Sequence, residues 1–199
     1  MSQKSETLKT LIVSLLTISL ISGVLLSATQ LITSPVIVQG KAQRLQDTLA
    51  TVLENFTNNP GTEQFTLEAY PNLTFYPARN QDGLSGIAVR SVTSKGYAGD
   101  IVILAGFRTD GSVIKATVLE LKETPGLGTK LKEEKFLVQF PNLQASGFPL
   151  KVKKDGGGID ALTAATISSR AFLDALNQAQ NALTEAFDSA NTKALEGMP

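Results

Sequence analysis

The sequence predicts an α+β protein: a single N-terminal transmembrane helix, then a compact domain with an antiparallel sheet and packed helices. Three observations predict it. Residues 11–32, LIVSLLTISLISGVLLSATQLI, contain no charge. From Gly83 onward, three apolar runs have strand character and are punctuated by turn residues. Near the end, RAFLDALNQAQNALTEAF sets Phe172, Leu176, Ala179, Leu183 and Phe187 on one helical stripe. A chain of 199 residues divides accordingly: a short tail (1–10), the membrane helix (11–32), an amphipathic linker helix (33–60) and the domain (61–199).

At ~1.5 Å rise per residue, the uncharged stretch is long enough for a hydrocarbon layer of ~30 Å. A cleaved signal peptide fits less well, because Leu26 stands two residues before Ala28, the candidate cleavage position. A buried core helix is rarely apolar on every face over such a length. Lys4 and Lys9 flank one end, Lys41 and Arg44 the other, so the positive-inside count is tied and does not orient the anchor. After Pro35, the spacing of Leu45, Leu49, Val52, Leu53 and Phe56 predicts the linker helix, stopped by Asn58-Asn59-Pro60-Gly61.

GIAVRSVTS, AGDIVILAGF and SVIKATVLEL then read as strands. The last two are joined through Thr109-Asp110-Gly111, and Asp-Gly between apolar runs signals a hairpin. The unbroken apolar run 101–104 predicts a central strand covered on both faces. KETPGLGTK interrupts the sheet region, a polar helical or irregular stretch runs to Pro149, and the closing helix docks on the sheet.

Composition removes whole classes of chemistry. With no Cys and no His, the chain cannot build iron–sulfur clusters, structural zinc, imidazole-ligated haem, or Cys–His and Ser-His-Asp nucleophiles. No catalytic set and no metal site is predicted. Lys plus Arg equals Asp plus Glu at 18 each, which argues against a nucleic-acid partner. Demanding chemistry must come from carboxylates, lysines or an imported organic cofactor.

Two loops stand out. In Lys122-Glu123-Thr124-Pro125-Gly126-Leu127-Gly128, Pro-Gly suits a type II turn, with φ > 0 at Gly126, and the second glycine permits close backbone approach. A plain turn at a strand exit explains the same residues. In GGGIDALTAATISSR, Ser168 or Ser169 reads as a helix N-cap and the glycines as a flexible approach. A helix start also welcomes an anion, and Lys151, Lys153 and Lys154 upstream add positive charge. Its hydroxyls have no base in this chain to activate them.

VKKDGGGIDALTAATISSRA resembles the flavinylation signature of the FMN-binding domain in the G subunits of Rnf/Rsx-type electron-transport complexes. That signature is Asp, two variable residues, Ser or Thr, a small residue, then Ala-Thr; here it is Asp160, Thr163, Ala164, Ala165 and Thr166. GYAGDIVILAGF and the ETPGLG loop match the family in the same order, and the similarity covers roughly residues 10–187. The resemblance implies FMN joined covalently to Thr166 by a phosphoester, which makes Thr166 a phosphoryl-threonine. A separate flavin transferase, which splits FAD, supplies the missing base. Thr163 and Asp160 are then recognition residues, Ala165 belongs to the cofactor-binding set, and Glu123, Thr124, Pro125, Gly126, Leu127 and Gly128 contact the flavin. Ala164 departs from the family's usual glycine, and Lys122 stands where relatives often carry histidine, so no imidazole carries protons there.

The resemblance further implies an electron relay within a complex that couples ferredoxin–NAD redox chemistry to ion translocation. Such a protein has no independent turnover. Its partners are the other membrane subunits, and its location is the inner membrane, single-pass, with the flavin domain on the extracytoplasmic side. Two alternatives stay open: the C subunit of a sodium-pumping NADH:quinone reductase, and a membrane-tethered binding module without a cofactor.

Overall fold

The structure, a computed structural model, describes residues 2–144 and 150–196, with side chains described over 9–144 and 150–190. The chain forms two compact units, Met1–Arg44 and Leu45–Pro199. Helix α1 spans Ser2–Val52 without interruption. Its segment 9–52 is the one described helix long and apolar enough to cross a membrane. Within the first unit, Ser14, Thr17, Thr29 and Thr33 each donate a hydroxyl hydrogen bond to the carbonyl four residues back, at 2.6–2.8 Å. Polar side chains are thereby satisfied within the helix, as an apolar solvent requires. Pro35 lies inside α1 and does not begin a second helix. Its missing N–H costs one ladder hydrogen bond, which a helix this long absorbs. The expected tail is helical from Ser2, and the Lys4 side chain lies outside the described residues. The helix also ends at Val52, earlier than the Asn58 stop, and Asn55 then turns the chain at φ 52°.

Five strands form one antiparallel meander in chain order: β1 (Phe65–Leu67), β2 (Tyr70–Asn80), β3 (Gly83–Thr93), β4 (Ile101–Arg108) and β5 (Val113–Leu121). The first two are not legible as strands: β1 is only three residues long, and Pro71 and Pro77 interrupt the pattern of β2. β1 pairs with β2 only near Phe75 and Tyr70, so Pro77 sits where the outer edge has no strand partner and needs no N–H. Asn58 covers that edge instead, donating to the Pro77 carbonyl at 2.9 Å and accepting from the Arg79 amide at 2.8 Å. The Asp-Gly hairpin forms as expected, with Gly111 at φ 81° and its amide bonded to the Arg108 carbonyl at 2.9 Å.

β4 is covered on both faces. Ile101, Ile103, Ala105 and Phe107 face the main core, while Leu104 joins Tyr76, Ala78 and Ala88 beneath Leu49, Val52 and Leu53. Gly106 makes the second layer possible, since a Cβ there would overlap the Val52 carbonyl oxygen. The main core is closed by α3 (Thr166–Asn181), α4 (Leu183–Glu196) and the short α2 (Glu134–Leu137). The single closing helix expected from the stripe is thus two helices, parted at Ala182. Phe172, Leu176, Ala179 and Leu183 of the stripe are buried as expected and Phe187 is half-buried, with Phe172 against Phe136 and Phe140 at ring separations of 5.2 and 4.9 Å. Beyond residues 122–127 the chain forms a 3-10 turn, Gly128–Lys132, and the expected end of this stretch at Pro149 lies outside the described residues.

Candidate functional site

The register of the meander places Thr93, Ile101 and Leu121 side by side. The connection 94–100 and the segment after Leu121 therefore leave the same end of the sheet. Helix α3 is tied to that end by Asp174. Its carboxylate accepts from Thr93 Oγ1 at 2.8 Å, Lys95 Nζ at 2.7 Å and Gln178 Nε2 at 2.8 Å. Burial pushes the Asp174 carboxyl up, but these donors together outweigh it and hold the group below the usual carboxylate range.

The segment after β5 folds as its residues demand. The Leu127 amide donates to the Thr124 carbonyl at 3.2 Å and Gly126 takes φ 75°, the third-position geometry of a type II turn. Thr129 Oγ1 accepts from the Gly126 amide at 2.9 Å and braces the turn. Gly128 is buried between elements: a Cβ there would lie 2.6 Å from Glu123 Oε2 and 2.9 Å from Ser168 Oγ. This loop and the start of α3, some 40 residues apart in sequence, are neighbours in space.

The stretch before α3 is built more tightly than a flexible approach. Val152 and Ile159 form a parallel bridge, with Gly156 turning between them at φ 82°. Asp155 accepts two hydrogen bonds from Arg170, both at 2.7 Å, and this contact holds its carboxyl below the usual range. Asp160 is clasped through its backbone by Gln139, whose Oε1 accepts from the Asp160 amide at 2.7 Å and whose Nε2 donates to its carbonyl at 3.3 Å. Its carboxylate pairs with Lys153 at 2.8 Å. Asp160 and Thr163 are exposed, and Ala164 holds φ 60°, the left-handed region where glycine is unstrained.

Neither serine caps the helix. The N-cap is Ala165, which has no side-chain cap bond, and Thr166 is the first helical residue. Ser169 Oγ is spent inside the turn, accepting from the Leu162 amide at 3.0 Å and donating to the Ala165 carbonyl at 3.0 Å. The first-turn amides of α3 are left without a side-chain cap, on the side where Thr166 lies.

A cavity of about 530 Å³ opens here, lined by Tyr97, Glu123, Thr124, Leu127, Gly128 and residues 164–168. Of the expected site residues, Glu123, Thr124, Leu127, Gly128, Ala165 and Thr166 meet at this cavity; Pro125, Gly126, Asp160 and Thr163 do not line it. The upstream lysines do not line it either. Lys151 borders a second cavity with Lys95 and Arg170, across Ile167. Sequence reasoning does not single out Tyr97, Ile167 and Ser168 as site residues. For Tyr97 the available signal is its place one residue after Gly96 and two before Gly99; the other two emerge only from the fold. Outside α1, the exposed large apolar side chains among the described residues are Tyr97, Leu127, Val138 and Ile167, and three of these four border this cavity. An open, apolar-rimmed cavity of this size suits a planar organic ring.

Residues 96–181, which contain every residue lining the cavity, match the FMN-binding domain family. The chain is 30% identical over 184 residues to the G subunit of an ion-translocating oxidoreductase complex from Vibrio parahaemolyticus, covering 86% of this chain and 87% of the relative. It is 33% identical over 166 residues to the G subunit of a proton-translocating ferredoxin:NAD(+) oxidoreductase complex from Clostridium ljungdahlii, covering 82% and 85%. The chain belongs to this G-subunit family. A shorter match, to the G subunit of the ion-translocating complex from Shewanella piezotolerans, is 40% identical over 114 residues and covers 55% of this chain; there the chain spans about half the relative's length, 53%. Among solved structures, Shewanella oneidensis NqrC aligns with a TM-score of 0.45 and 23% identity, over 52% of this chain and 53% of that one. Within the region matched to this family, the cavity lies where the loop after β5 meets residues 164–168.

Proposed function

We propose that this chain is a membrane-anchored flavoprotein subunit that relays electrons through FMN within an Rnf-type complex coupling ferredoxin–NAD redox chemistry to ion translocation. Family membership supports the complex and the electron-transfer role. The observation that carries the site is the cavity itself, which joins the 123–128 loop to Thr166 under an apolar rim.

The residues present fit FMN. Thr166 offers its hydroxyl for a phosphoester, and the uncapped amides of the first α3 turn, with the helix dipole, receive the phosphate charge. Tyr97, Leu127 and Ile167 offer apolar surface to the ring, and Thr124 and the loop backbone offer polar contacts. When bound, the flavin supplies one- and two-electron transfer; the protein supplies position and environment. A covalent tether keeps a relay in place through repeated turnovers.

Asp160 and Thr163, exposed beside the acceptor on a loop clasped by Gln139, are the surface that a flavin transferase reads during maturation. The chain supplies no base for the transfer, which the transferase provides. The protein has no turnover of its own; its partners are the other membrane subunits, and its flavin domain lies on the extracytoplasmic side. In this reading the chain divides into a tail 1–10, a membrane helix 11–32, a linker 33–60 and an FMN-binding domain 61–199, with Leu49, Val52 and Leu53 of the linker packed into the domain's second core layer.

Co-expression with a flavin transferase, followed by a denaturing gel under ultraviolet light and intact-mass measurement, tests the reading. The parent chain is expected to fluoresce and to gain the mass of FMN less one water. Thr166→Val, nearly isosteric but without the hydroxyl, is expected to do neither while staying folded. A flavin mass retained by Thr166→Val would show that another residue is the acceptor.

A further inference from the structure

Glu123 lines the cavity, yet its carboxylate is already engaged. Oε1 accepts the backbone N–H of Tyr97 at 2.7 Å. Two glycines from different loops enclose the same carboxylate: a Cβ at Gly96 would lie 2.9 Å from Oε1, and one at Gly128 would lie 2.6 Å from Oε2. Larger residues at either position would push the carboxylate out of this cradle. The carboxylate thus joins the β3–β4 connection, 94–100, to the segment after β5, both at the same sheet end.

Tyr97 is what this link holds in place. Its side chain is 69% exposed, an unusual state for an aromatic residue, and it borders the cavity together with the start of α3. Exposed aromatic surface of this kind is stabilised when a second planar ring covers it. We infer that Glu123 is a positioning residue, whose carboxylate fixes the Tyr97 backbone so that the Tyr97 ring forms one wall of the flavin site. The inference rests on the reading that FMN on Thr166 occupies this cavity, and it assigns Glu123 an indirect role there. Ring contact belongs to Tyr97, and Glu123 acts through it.

The test uses the full-length chain in detergent after co-expression with a flavin transferase. Parent, Tyr97→Ala, Glu123→Ala, Glu123→Gln and the Tyr97→Ala/Glu123→Ala double variant are compared by flavin emission per covalently bound FMN. An aromatic wall quenches flavin emission, so Tyr97→Ala and Glu123→Ala should each raise it several-fold. The double variant should match Tyr97→Ala alone, because two residues acting through one ring are not additive. Glu123→Gln keeps an acceptor oxygen for the Tyr97 amide and should stay near the parent.

A second arm needs no flavin. In the Thr166→Val chain, deuterium uptake by a peptide containing Tyr97 should rise on Glu123→Ala, while uptake over 101–108 stays unchanged and reports an intact sheet. Additive effects in the double variant, or emission unmoved by Glu123→Ala, would overturn the inference, as would unchanged uptake at Tyr97. A parent chain without FMN mass would instead overturn the Thr166 reading and with it the wall, and the uptake arm would still decide the Glu123–Tyr97 link.

Discussion

Ala164 holds φ 60°, a conformation that costs an L-residue roughly 1–2 kcal/mol and glycine almost nothing. Glycine would be unstrained at this position, and the methyl here is carried at a cost. Ala164→Gly should stabilise the fold by up to about 1 kcal/mol, after the extra entropy of glycine in the unfolded chain is set against the relieved strain. A urea titration should show a higher midpoint with an unchanged slope; an equal or lower midpoint would mean that the loop gains something from the methyl. Two glycines of the 123–128 loop make a contrasting pair. Gly126 has open space around its missing Cβ, so Gly126→Val strains only the local turn, on the order of 1–3 kcal/mol. Gly128 is wedged between Glu123 and Ser168, so Gly128→Ala should pry the loop from the start of α3. Both variants should keep covalent FMN, but Gly128→Ala should shift the flavin absorption spectrum and reduction potential further. Equal shifts would show that the close seat of Gly128 between Glu123 and Ser168 has no bearing on the site.

At the scale of elements, α3 serves both packing and chemistry. Its apolar stripe fills the main core while its first turn borders the cavity, so the sheet must hold it in one place along its axis. Asp174 does this by binding Thr93 and Lys95 at the sheet end. The sign of the pH effect follows from the lowered carboxyl. A depressed folded-state pKa adds stability above the unfolded value of about 3.9, and that stability is lost as pH falls through the folded value. Melting temperature should therefore drop more steeply below about pH 4 in the parent than in Asp174→Asn, which lacks the titrating group. Identical acid limbs would assign the acid sensitivity elsewhere, with the Asp155–Arg170 pair the next candidate.

At the scale of the whole molecule, the second compact unit begins at Leu45, inside α1. The last turns of that helix are part of the domain's own core, because Leu49, Val52 and Leu53 cover Tyr76, Ala78, Ala88 and Leu104. Full burial of such side chains contributes about 1.5–3 kcal/mol each, which is comparable in sum to the whole stability of a small domain. A fragment starting near Thr33 should accordingly be soluble and folded without detergent. One starting at Glu54 should aggregate or melt far lower, although it keeps all five strands and the entire cavity. Equal melting temperatures for the two would show that the sheet tolerates a bare outer face.

Local signals explain what the sequence determined by itself. The uncharged run 11–32, the Asp-Gly hairpin, the doubly covered β4 and the Pro-Gly turn each depend on neighbours within a few residues, so their side-chain patterns sufficed. Family membership was legible too, through the resemblance carried by the ETPGLG loop and residues 160–166. Three things depended on tertiary structure. β2 forms despite two prolines, because short β1 leaves part of its outer side, including Pro77, without a strand partner that would need an N–H. The closing stripe breaks at Ala182, where neither glycine nor proline marks a helix end and the apolar spacing runs straight through. Above all, no local pattern brings Tyr97, Glu123 and Thr166 to one cavity. That convergence follows from strand register and from where Asp174 stops α3, and the latter is set by contacts between residues about 80 positions apart.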